Sequence, residues 1–98
     1  MNQSPDPLDV AVIAFGSQLR VDILRVLTRT PGASAQEIAE ELGVLRQTLG
    51  VNLRALEAAN LITSSDTSEA RRGRRLRFTV NQAAYLDTLE SIRHMIQA

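Results

Sequence analysis

Residues 34–60, SAQEIAEELGVLRQTLGVNLRALEAAN, decide the fold. Ser34 and Glu37 stand three apart at the head of an apolar-periodic segment. That is the spacing of a capping box, in which each side chain satisfies an orphan N–H of the first helical turn. Ile38, Ala39 and Leu42 then share one face of a helix over residues 34–42. Gly43 offers the left-handed conformation that helix ends favour. A second helix starts about three residues later and runs to Asn60, with Leu45, Leu49, Leu53 and Leu56 as its buried stripe. A short helix, a glycine turn and a longer helix form a helix-turn-helix unit.

Upstream, Leu19, Ile23, Leu24 and Leu27 repeat at helical spacing until Thr30-Pro31-Gly32 stops the run. Gly16 and Ser17 break the chain before it, Ser17 serving as an N-cap. Leu8–Phe15 is apolar on every side, so this helix is buried, one side of it against a partner chain. Residues 1–7, with two prolines, read as a flexible tail. Downstream, Leu61-Ile62-Thr63 favours a strand, and Leu76, Phe78 and Val80 alternate with Arg75, Arg77 and Thr79 as a second strand with one buried face. The pair is a β-hairpin over 61–80. Asn81 caps a last helix over 82–97, whose Tyr85, Leu86, Leu89, Ile92 and Ile96 follow a coiled-coil seam.

The length of 98 residues allows one domain, 8–98, and one core. With no cysteine there are no disulfides, thiolate metal sites or thiol nucleophile. No apolar run approaches the roughly 20 residues of a membrane span, and the polar MNQSPDP start lacks a secretory pattern. A soluble cytoplasmic protein, with no membrane partner, is expected. No G-x-S-x-G elbow, paired carboxylates or Gly-rich phosphate loop is present, so no enzyme is expected. All eleven basic residues are arginine, and the formal net charge is zero. Residues 46–77 nevertheless hold seven arginines against Glu57, Asp66 and Glu69, a net +4, so the chain presents a basic face to a polyanion.

From residue 17 onward these elements follow the winged helix-turn-helix order, α-α-α-β-β-α, behind the Leu8–Phe15 helix: mainly α with a small hairpin. The motifs QLRVDILRVL (18–27), SAQEIAEELGVLRQTLGVNLRALEAANLI (34–62) and GRRLRFTV (73–80) resemble the ArsR-like family of bacterial transcription regulators. MarR-like regulators share much of the pattern. The resemblance covers residues 17–80 and implies a symmetric dimer with a recognition helix and a basic wing on double-stranded DNA.

The residues point the same way. With the leucine stripe inward, Arg46, Gln47, Thr48, Gly50, Val51, Asn52 and Arg54 face out, and Arg and Gln suit guanine and adenine edges in the major groove. Gly50 in mid-helix costs about 1 kcal/mol relative to Ala, which suggests close approach to the backbone there. Arg71, Arg72, Arg74 and Arg75 crowd the hairpin tip, where phosphate or the minor groove is the natural acceptor of guanidinium forks. Similar proteins carry Ser or Thr where this chain has Leu45, and Ser and His near Gly50, Val51 and Asn52, so base reading rests on few side chains. Leu8, Val12 and Phe15, with Leu86, Leu89, Ile92 and Ile96, exceed one small core and form the expected dimer interface, which places the operator as an inverted repeat.

Metal sensing, the family's best-known activity, is not expected. The terminal-helix site of zinc-sensing relatives uses paired Asp and His from two chains; Asp87, Glu90 and His94 are the only candidates here, and a lone His near a helix C-terminus suits the helix dipole in its charged form. No cofactor is expected. Repression is expected over activation, since nothing beyond the DNA-binding fold is left to recruit polymerase. The alternative is a winged-helix protein-interaction module that reads no DNA.

Overall fold

The structure, a computed structural model, describes residues 7–65 and 76–97. Its elements are α1 (Pro7–Phe15), α2 (Gln18–Arg29), β1 (Ala33–Ser34), α3 (Ala35–Leu42), α4 (Arg46–Ala58), β2 (Ile62–Ser65), β3 (Arg77–Val80) and α5 (Gln82–Gln97). This is the expected winged-helix order, with α1 in front of it and a two-residue strand added before α3. Pro7, assigned to the tail on sequence, is the first residue of α1, where its missing N–H costs nothing.

Local chemistry sets the boundaries. Ser17 and Ser34 cap α2 and α3, each hydroxyl accepting an N–H three residues on. Glu37 completes the capping box by accepting from the Ser34 N–H at 2.9 Å. Gly43 ends α3 at φ 67°, and the Val44 N–H reaches back to the Ala39 carbonyl. Asn60 ends α4 in the same left-handed region. There the Asn60 N–H bonds the Glu57 carbonyl and the Leu61 N–H bonds that of Leu56, a complete Schellman motif sealed by buried Leu56 and Leu61. Asn81 opens α5, its Oδ1 accepting from the Ala84 N–H at 3.3 Å.

One core gathers Ile23, Leu27, Ile38, Leu49, Leu56, Leu61 and Ile62, all fully buried, with Phe78 over it from the sheet. The sheet is antiparallel in the order β1-β3-β2. Ala33 and Ser34 pair with Phe78 and Arg77, which anchors the hairpin beside the start of α3. On the other side Ile62 pairs with Val80 and Ser65 with Arg77.

Two expectations fail. Leu45 is not part of the buried stripe: it is 75% exposed. It precedes the first helical turn in an extended conformation (φ −69°, ψ 141°), so helical periodicity does not reach it. Leu76 does not share the buried face of Phe78 and Val80 and is 41% exposed, because β3 begins only at Arg77.

Candidate nucleic-acid interface

Leu49, Leu53 and Leu56 turn one face of α4 into the core. That rotation fixes the opposite face: Arg46, Gln47, Thr48, Val51 and Arg54 are exposed, and Gly50 and Asn52 half-buried. The Arg46 Nη1 donates to Gln36 Oε1 on α3 at 3.3 Å, and Gln36 Nε2 donates to Glu40 at 2.8 Å. The sequence reading missed Gln36; its place on the outer face of the first turn of α3 was the available signal.

Between α4 and the hairpin runs a groove of about 410 Å³, lined on the helix side by Arg46, Gly50, Arg54 and Glu57 and on the hairpin side by Leu76 and Phe78. The exposed arginines of α4 and the arm of the hairpin therefore border one concavity. Glu57 also accepts from the Ser64 hydroxyl at 2.8 Å, pinning β2 to α4. A Cβ built at Gly50 would meet only Arg54 Nη1, at 3.6 Å, so the chain's own packing does not require glycine there. Arg77 donates from Nη1 to the Gly32 carbonyl at 3.1 Å and serves the sheet. Arg71, Arg72, Arg74 and Arg75 lie outside the described residues.

Asn52 differs from its neighbours. Its Oδ1 accepts from Arg20 Nε at 2.8 Å and its Nδ2 donates to the Thr48 carbonyl at 2.8 Å.

A second surface lies on α1 and α5. Val10, Ala11 and Ala14 are buried, whereas Leu8, Val12 and Phe15, one helical stripe, are exposed. On α5 only Thr88 is buried among the described residues, and Leu86, Leu89, Met95 and Ile96 are exposed with Ile92 half-buried. Leu8, Val12, Phe15, Ile92, Met95 and Ile96 line one apolar hollow of about 530 Å³. Met95, three residues after Ile92, extends the seam read from sequence. No group of three or more His, Cys, Asp or Glu able to hold a metal occurs among the described residues. Nor is any described helix long and apolar enough to cross a membrane.

Residues 15–65 match the family model of the helix-turn-helix domain. The chain belongs to the helix-turn-helix domain family. No curated protein matches it by sequence. Solved structures give the wider likeness. An ArsR family transcriptional regulator aligns with a TM-score of 0.75 at 18% identity, covering 99% of this chain and 93% of that one. The homodimeric winged helix-turn-helix DNA-binding domain from Mycobacterium bovis aligns at 0.66 and 18% identity, over 95% and 85%. MepR of S. aureus, solved with DNA, aligns at 0.62 and 18% identity, over 93% and 79%. These likenesses establish the fold as an ArsR-like winged helix-turn-helix. In its terms α3 and α4 are the helix-turn-helix, α4 stands in the recognition-helix position, and β2 and β3 are the base of the wing.

Proposed function

We propose that this winged helix-turn-helix chain is a dimeric, sequence-specific double-stranded DNA-binding transcription regulator, acting as a repressor on the nucleoid. The observation that carries the reading is the shared groove: Arg46, Gly50 and Arg54 on α4 and Leu76 at the wing's base border it together. With α4 inserted in the major groove of a duplex, which is wide enough to admit a helix, one sugar-phosphate strand runs along this protein groove while the wing follows the adjoining backbone or minor groove. Arg46 and Gln47 lie at the N-terminal turn of α4, the end of a recognition helix that reaches base edges. The M. bovis neighbour, a homodimeric DNA-binding domain, and the DNA-bound MepR support extending the likeness to function.

Dimerisation follows from the apolar hollow of α1 and α5. A 16-residue helix that buries only Thr88 among the described residues leaves apolar area that a second copy would cover. Two-fold pairing then presents two recognition helices to successive major grooves, and the operator is an inverted repeat. A dimer seated on such a site represses by excluding polymerase.

Charge reversal tests the reading. Arg72, Arg74 and Arg75 changed together to Glu should weaken binding to all duplexes and flatten the slope of log K against log salt, by close to one unit per lost phosphate contact. An unchanged slope overturns the wing's role. A protein that binds no duplex but retains a protein partner is the interaction module instead.

A further inference from the structure

Arg20 on α2 makes two side-chain bonds that leave its own helix. Its Nε donates to Asn52 Oδ1 on α4 at 2.8 Å, and its Nη1 donates to the Ile13 carbonyl on α1 at 3.3 Å. Because α1 ends at Phe15, the Ile13 carbonyl is among the last four, which have no partner within the helix. A cation there also suits the negative end of the helix dipole. One partly buried guanidinium thus joins the end of α1, the first turn of α2 and the middle of the recognition helix.

Asn52 is committed to the same arrangement. An asparagine reads adenine through a coplanar pair, its oxygen accepting from N6 and its nitrogen donating to N7. Here the oxygen is held by Arg20 and the nitrogen is turned back to the Thr48 carbonyl. One lone pair of the amide oxygen and one of its N–H groups are already in use.

We propose that Arg20 is a positioning residue that sets the recognition helix against α1 through Asn52, and that Asn52 serves this tie rather than a base. The inference rests on the regulator reading above and deepens it. Leu8, Val12 and Phe15 put α1 in the apolar hollow assigned to the dimer contact. Arg20 therefore carries the placement of α1 to α4, and coupling of this kind is reciprocal: DNA binding tightens the dimer by the factor by which dimerisation tightens DNA binding.

The test begins with wild-type protein and random-oligonucleotide selection. If no duplex is bound, the regulator reading fails and this inference with it. With a selected duplex in hand, Arg20→Ala, Asn52→Ala and the double variant form a cycle read by fluorescence anisotropy, with melting temperature and dimer dissociation measured alongside. Each single change should weaken DNA binding roughly tenfold, the scale of one lost hydrogen bond to a charged group. The double variant should be no weaker than the worse single one, and Asn52→Ala should select the same sequence as wild type. Losses that multiply in the double variant, a base position relaxed by Asn52→Ala, or affinity unchanged throughout would each overturn the proposal. Should Arg20→Ala fail to fold, re-selection with Asn52→Ala decides alone.

Discussion

Gly50→Ala separates the demands of folding from those of DNA. Glycine in a helix interior is less favourable than alanine by about 0.8–1.0 kcal/mol. The added methyl meets nothing closer than Arg54 Nη1 at 3.6 Å, an ordinary contact with the end of a flexible side chain. Nothing offsets the propensity gain, so the variant should be more stable by nearly the full amount. For a domain of this size that is a rise in Tm of about 4–8 °C. The same methyl stands in the groove bordered by Arg46 and Arg54, where the account seats a DNA backbone or base edge. Holding the helix off by a methyl radius should weaken binding roughly tenfold or more, about 1.4 kcal/mol. Calorimetry on the free protein and anisotropy on a selected duplex, at one fixed salt, read the two effects. A lower Tm would refute the open site at Gly50. A higher Tm with unchanged Kd would refute close approach of DNA and leave Gly50 a tolerated imperfection.

Other substitutions probe the remaining parts. Ser34→Ala removes a buried hydroxyl and the capping box, and should destabilise the fold by about 1 kcal/mol or more in chemical denaturation. Gly16→Ala puts a Cβ 2.5 Å from the Val12 carbonyl, so the end of α1 must shift. Its cost should be about 1–3 kcal/mol, and stability equal to wild type would contradict the backbone described for the α1–α2 turn. Leu89→Asp with Ile92→Asp should give monomers by light scattering and much weaker DNA binding; a doubly substituted protein that stays dimeric would remove α5 from the interface.

The helices were legible because their signals are local. The Ser34–Glu37 box, the Gly43 stop and the leucines at 49, 53 and 56 each act within a turn or two, so spacing alone reveals them. Leu45 misled because it continues the leucine spacing from just outside the helix. The strand Ala33–Ser34 was not legible: two residues carry no periodicity, and they pair with Arg77 and Phe78, more than forty positions away. The Schellman stop at Asn60 was readable in principle, Asn being the residue after Gly that best accepts a left-handed backbone. Within the site, exposure along α4 followed from the stripe. The Arg20–Asn52 bond did not, because it joins residues thirty-two apart whose types equally suit a DNA contact.

Random-oligonucleotide selection with the purified protein, at one stated salt concentration, bears most directly on the claim that the recognition helix and the wing face one side in each half of a dimer. The account predicts an enriched inverted repeat with half-site centres about 10–10.5 base pairs apart. Binding without enrichment of any sequence, or a single unrepeated half-site held by a monomer, would contradict it.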